Sequence, residues 1–324
     1  MNTPTKLGAF GLGLLVVFGA AAGIGAAVGP VGPATAPHGS ATHTGPHEEP
    51  PAAAAQGAPT ATGAALPGGL QVSQDGYTLD VPGELPAGSA TPLSFRVLGP
   101  DGRPVTAYDT AHDEDLHLIA VRRDLTGYQH VHPRLSDDGT WSVPLDLTAG
   151  TWRVFADFDP AGEDAALVLG ADVAVAGDHE PRPLPAPSTT AEVDGYTVTL
   201  DGQLLAGRES ELTLSVSRDG GPVGDLQPYL GAYGHLVALR AGDLAHLHVH
   251  PAGGPGDGTT APGPDVTFHA TAPSAGAYRL FLDFQHGDVV RTAEFTVHVG
   301  GTASASGAGT AEDTGDDGHE HDHG

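Results

Sequence analysis

Cysteine is missing from this 324-residue chain, and the only methionine is Met1. Disulfides, thiolate metal centres and sulfur ligation of copper(I) are therefore closed to it, and any metal must be held by imidazole and carboxylate. Basic charge is scarce as well. Thirteen Lys and Arg face 40 Asp and Glu, for a formal charge of -27. Such a surface repels a phosphate backbone instead of displacing its counterions, so nucleic acid is excluded as a partner. The sole lysine is Lys6, which rules out a polybasic membrane patch on the folded part. No nucleophile elbow, phosphate loop or dinucleotide fingerprint occurs, and an enzyme is disfavoured. What is abundant is glycine (48), proline (28) and histidine (18). The first two favour many turns and short strands over long helices.

From Leu7 the run "LGAFGLGLLVVFGAAAGIGAAVGPVGPA" carries no charge. It is longer than the ~7–15 apolar residues of a cleaved signal and close to the ~20 that span a bilayer. Residues 1–30 thus read as a signal-anchor in preference to a cleaved signal peptide. Lys6 before the run and the acidic chain after it place the bulk outside the cell, membrane-bound or secreted if cleaved. Residues 31–69, rich in Pro, Ala, Gly and Thr, read as a disordered spacer in which His38, His43 and His47 are incidental. Residues 301–324 form a second disordered segment, ending in "HEHDHG". There His319, His321 and His323, with Glu320 and Asp322, make a tract suited to weak capture of divalent metal, or a solubilising terminus.

Between these ends the chain is duplicated. "DGYTLDVPGELPAG" from Asp75 returns as "DGYTVTLDGQLLAG" from Asp194, and "GTWRVFADF" from Gly150 as "GAYRLFLDF" from Gly276. Extra residues of the second copy fall in the loop "AGGPGDGTTAPGP". Each copy shows about seven short alternating runs, such as "PLSFRV", "LHLIAV" and "WRVFADF", then "HLVALR", "AHLHVH" and "YRLFLDF". The expected fold is all-β: two tandem immunoglobulin-like β-sandwich domains, 70–177 and 190–300, joined by a proline-rich linker at 178–189.

Both copies carry a histidine, twelve residues, then His-x-His-Pro. In the second, "RAGD" reads as a hairpin turn centred on Gly242 and Asp243, which sets His235 opposite His250. Alternation then puts His235, His246, His248 and His250 on one face, and Leu236, Ala238, Leu247 and Val249 on the other. Imidazoles so placed can close on one copper(II) or zinc ion at ~2.0–2.1 Å. His235, His248 and His250 are the preferred set; His117, His130 and His132 form the matching set if the longer turn "RRDLTG" keeps register. Asp157 and Asp283, with His286 nearby, are acidic companions that more simply serve backbone donors near a turn. The alternative is that the histidines pack, each first one donating to a backbone carbonyl. A third reading is a pH-responsive interface.

The stretches "HLIAVRRDLTGYQHVHP", "YLGAYGHLVALRAGDLAHLHVHP" and their "DF" strands resemble those of secreted or membrane-anchored actinobacterial proteins, usually described as hypothetical or heavy-metal-binding. More distantly each module is similar to CopC-like and YtkA-like sandwiches of periplasmic copper handling, departing from CopC in having no histidine at a mature N-terminus. The resemblance implies an extracytoplasmic, metal-related accessory role. The expected function is copper(II) or zinc buffering at the cell surface, with a copper-handling or surface protein as possible partner. The alternative is a structural or adhesive surface module that binds a protein.

Overall fold

The computed structural model describes residues 66–163, 166–247 and 249–300. The expected anchor, most of the spacer, the histidine tail and His248 lie outside them. Among the described residues no helix is long and apolar enough to cross a membrane.

The first module is built from β1 (Tyr77–Asp80), β2 (Gly88–Leu98), β3 (Leu116–Arg122), β4 (Gln129–Val131), β5 (Arg134–Leu135), β6 (Thr140–Leu147), β7 (Gly150–Pro160) and β8 (Leu167–Val175). One sheet runs β1-β2-β6-β5 and the other β8-β7-β3-β4. The second module follows with β9 (Tyr196–Gly202), β10 (Glu209–Arg218), β11 (His235–Arg240), β12 (Val249–Pro251), β13 (Asp265–Thr271), β14 (Gly276–His286) and β15 (Val289–Val299). Its sheets run β9-β10-β13-β12 and β11-β14-β15. Counting these main strands, the second module has the four-on-three order of an immunoglobulin constant-type sandwich, and the first adds β4 to the edge of its β8-β7-β3 sheet.

The outer strands follow period-two burial. In β6, "TWSVPLDL", Trp141, Val143, Leu145 and Leu147 point inward and Ser142, Pro144 and Asp146 outward. Each module closes its own core this way, around Phe95, Trp141 and Trp152 in the first and Tyr196, Phe268 and Phe295 in the second.

β3, β7, β11 and β14 break that pattern, because they are buried on both faces. Leu118 and Ala120 belong to the first core, while Ile119, Val121 and Phe155 join Val237, Leu239 and Phe281 of the second module in a third apolar cluster. The two modules therefore pack sheet face to sheet face. Reciprocal contacts mark the junction. Tyr128 stacks on Phe281 (centroids 4.0 Å, planes 4° apart), and His246, which holds the matching position of the second copy, lies 6.0 Å from Phe155. Fully burying each such apolar side chain contributes about 1.5–3 kcal/mol.

Gly68 and Gly69, assigned to the spacer on composition, are part of this junction. The His246 amide donates to Gly68 O (2.9 Å) and the Gly69 amide to Val168 O (2.7 Å). Arg153 donates to Gly69 O and Leu70 O. Only glycine fits at Gly69, where φ is +71° and a Cβ would lie 2.4 Å from the Phe155 ring.

Candidate functional site: a histidine cluster at the module junction

In the first module β4 pairs with β3 so that Ile119 faces His130 and Leu118 faces Val131. This register sets His117 across from His132 and puts all three histidines on the face turned toward the second module. One ligand nitrogen from each of His117, His130 and His132 lies within 4.8 Å of the others. Their ring centroids form a nearly equilateral triangle of 5.3, 5.0 and 5.0 Å. Three imidazoles on one tetrahedral ion, bound at ~2.0–2.1 Å, would stand ~5.2 Å apart by the same measure.

Hydrogen bonds fix which nitrogen of each ring is available. His117 donates Nε2–H to Ala111 O (3.0 Å), and His130 donates Nδ1–H to the carboxylate of Asp283 (2.9 Å), since neither partner can donate. The remaining nitrogens, His117 Nδ1 and His130 Nε2, then face each other with lone pairs at 3.1 Å. That approach requires a shared proton or a cation between them. Nε2 of His132 is buried and has no hydrogen-bond partner among the described residues. A buried unpaired nitrogen costs about 1–3 kcal/mol, which a ligated ion would relieve.

The Ala111 carbonyl is positioned by a tight turn. His112 and Asp113 both adopt left-handed backbone (φ 50° and 65°), and Ala111 and Glu114 exchange backbone hydrogen bonds across them, as in a type I′ hairpin. The second copy repeats the device with Leu230 and Gly231 at the tip, and His235 donates Nε2–H to Tyr229 O (2.9 Å). Each first histidine thus does hold a backbone carbonyl. That leaves its Nδ1 unprotonated.

Burial keeps His117, His132 and His235 neutral. Desolvation, followed by neighbouring imidazoles, pulls His117 down to about 3 and His132 to about 4, and desolvation likewise brings His235 to about 4. A neutral imidazole is the form that ligates metal. Burial also raises Asp157 to about 6 and, with the Asp283 charge, holds the Tyr128 phenol well above its usual range.

The second-copy set does not assemble as expected. The hairpin register is the anticipated one at its base, with Leu239 bridged to His246 and the Leu247 amide donating to Ala238 O (2.9 Å). Beyond Leu247, however, the chain leaves β11 and pairs as β12 with β13, His250 opposite His269. His250 is consequently exposed and paired on the other sheet, so it does not stand opposite His235 as expected, though it still lines a cavity with His112 and His117. The glycine- and proline-rich insertion before β13 supplies the slack for this switch, and Gly68 takes up the His246 amide. His235 instead joins the first-copy histidines, its ring 6.4 Å from His117, 6.2 Å from His130 and 5.3 Å from His112.

Asp283 differs from its expected role near a turn. It sits mid-strand on β14, 3% exposed, and accepts from His130, Tyr128 and Thr292. Asp157, its counterpart on β7, lines the cavity beside His117 and His246. His286 lies elsewhere, bonded to Tyr196 and Asp225. His112, Tyr229 and the facing of the two modules are features of the cluster that the histidine spacing alone does not reveal. Their one sequence signal is that "LHLIAV" and "HLVAL" are apolar at nearly every position, which marks strands covered on both sides.

A family model described as a domain of unknown function, DUF8832, matches residues 71–175 and again 191–301. The chain belongs to that family. The two matched segments are the two sandwiches, so the family unit is the single module and this member carries it twice. No curated protein matches the chain. Among solved structures, the Escherichia coli adhesin FdeC is similar at 17% identity over 71% of this chain and 65% of its own, with a TM-score of 0.23. Domains 5–6 of the S-layer protein SbsC align at 14% identity over 68% of this chain and 96% of theirs, with a TM-score of 0.21. The fibronectin(III)-like modules of Clostridium thermocellum CbhA align at 10% over 76% and 100%, with 0.18. The chain spans about two thirds of the adhesin chain it aligns with. Scores this low carry no argument about function.

Proposed function

We propose that this DUF8832 member is an extracytoplasmic protein of two immunoglobulin-like modules that takes up one divalent transition-metal ion, zinc or copper(II), at His117, His130 and His132. The observation that carries the reading is that His117 Nδ1 and His130 Nε2 face each other at 3.1 Å while a buried nitrogen of His132 has no partner among the described residues. With no sulfur in reach, an all-imidazole set suits zinc and copper(II) and not copper(I). Asp283 behind His130, and the Ala111 carbonyl behind His117, are the outer hydrogen bonds that orient metal-bound histidines. The extracytoplasmic placement rests on the apolar run and the charge asymmetry around it.

Calorimetric titration of the full chain with zinc sulfate and with copper(II) tests this. One tight site is expected, lost in the His130→Ala/His132→Ala double variant and retained when His319, His321 and His323 are replaced by alanine. Because the ion binds only the folded state, zinc at 100 times Kd raises stability by about 2.7 kcal/mol. Heat unchanged in the double variant rejects the site.

A second reading is favoured by a specific observation, the bonds from His117 and His235 to turn carbonyls in both copies. In it the histidines stiffen the junction and the protein is a structural or adhesive surface module with a protein partner. It expects thermal melting that is indifferent to metal.

A further inference from the structure

We infer that the ion, once bound, joins the two modules, with His235 of the second module as its fourth ligand and Asp283 as the residue that positions His130; this rests on the metal reading above. His235 uses Nε2 on Tyr229 O (2.9 Å) and Leu230 O (3.1 Å), so its lone pair is on Nδ1. Its ring is 6.2–6.4 Å from those of His130 and His117, about 1 Å more than the ~5.2 Å of a tetrahedral imidazole set. A cavity of about 80 Å³ adjoins His235 and is lined also by His112, His117, His130 and Asp157. His235 is 9% exposed.

Asp283 adds a second tie from the same module. The side chains of His130 and Asp283 are 5% and 4% exposed, and the bond between them crosses the junction. Losing an outer hydrogen bond of this kind lowers metal affinity 10–100-fold. An ion that contacts ligands from both modules binds the docked arrangement more tightly than the separated one. By reciprocity it favours docking by the same factor. The duplicated frame then makes one shared site, not two.

The test uses the full chain with His319→Ala, His321→Ala and His323→Ala, so that the tail takes no ion. Zinc affinity is measured by competition with a chromogenic chelator in this background and in His235→Ala and Asp283→Asn. Each of the two is expected to lose tenfold or more. Because either variant could disturb folding, a second measurement keeps every ligand intact. The chain has no cysteine, so Ser94→Cys and Glu211→Cys, exposed on the outward sheets of the two modules, take a spin-label pair without interference. At a urea concentration that begins to separate the modules, zinc is expected to keep the distance distribution between them narrow. Unchanged affinity in His235→Ala and Asp283→Asn, or a distribution indifferent to zinc, overturns the joint while leaving a first-module metal site standing. Absence of zinc binding in the parent chain overturns the metal reading itself.

Discussion

Single side chains at the junction are tuned by burial more than by charge. His117 and His235 are each nearly inaccessible and are held neutral at about 3 and about 4, against an unfolded value of ~6.5. Their folded pKa values are lowered, so the unfolded chain binds more protons below ~6.5 and stability falls as pH drops through that window toward the folded values. Asp157, raised to about 6, works the other way, gaining its proton in the folded state as pH falls below 6. His112, Tyr229, Asp283 and Asp159 also face this cluster. With His132, also lowered to about 4, three histidines outweigh one carboxyl, and with chelator present the chain should lose roughly 4 kcal/mol between pH 7 and pH 5. Urea midpoints at the two pH values measure it, and equal midpoints contradict the neutral buried imidazoles. The residue types and spacing of this cluster are legible in the sequence. The orientation of each ring is not, because it depends on the Ala111 and Tyr229 turn carbonyls and on a carboxylate some 150 residues away.

Strands and turns explain why one copy of the histidine frame converges and the other does not. In β3 and β4 the register Ile119 to His130 persists to Val131, and the His-x-His pair stays beside His117. In β11 the same frame begins correctly at Leu239 and His246 and is then drawn to β13, where Val249 and Pro251 pair with Ala270 and Phe268. Period-two patterning gives the face of each residue but not the sheet that a three-residue strand will join, which is set by loop length and by the competing edge. The alternating runs locate the main strands of both modules well, because their apolar and polar positions differ sharply. The strap residues Gly68 and Gly69 close a low-complexity segment and are recognisable only from their contacts. A Cβ on Gly170 would lie 2.1 Å from Gly69 O, so Gly170→Ala should displace the strap and cost about 1–3 kcal/mol in a chemical denaturation series. A neutral effect would mean that the strap carries no stability.

At the scale of the molecule, the duplication is used to make an interior between two sandwiches as well as within each. The apolar cluster of Ile119, Val121, Phe155, Val237, Leu239 and Phe281 predicts that the modules unfold together, and that Phe281→Ala, which removes the ring under Tyr128, costs about 3–5 kcal/mol and separates the two transitions. A single unchanged transition in calorimetry would contradict a shared interior. That the chain is all-β and doubled was readable from repeats and turn residues; that the repeats face each other was not, since composition says nothing of which outer sheet is covered. The account stands or falls on the ion. X-ray absorption at the zinc edge of the full chain, with His319, His321 and His323 replaced by alanine, tests it most directly. Four nitrogen neighbours at ~2.0–2.1 Å with the multiple scattering of at least three imidazoles are expected, whereas a shell dominated by oxygen, or zinc that washes away before measurement, would contradict it.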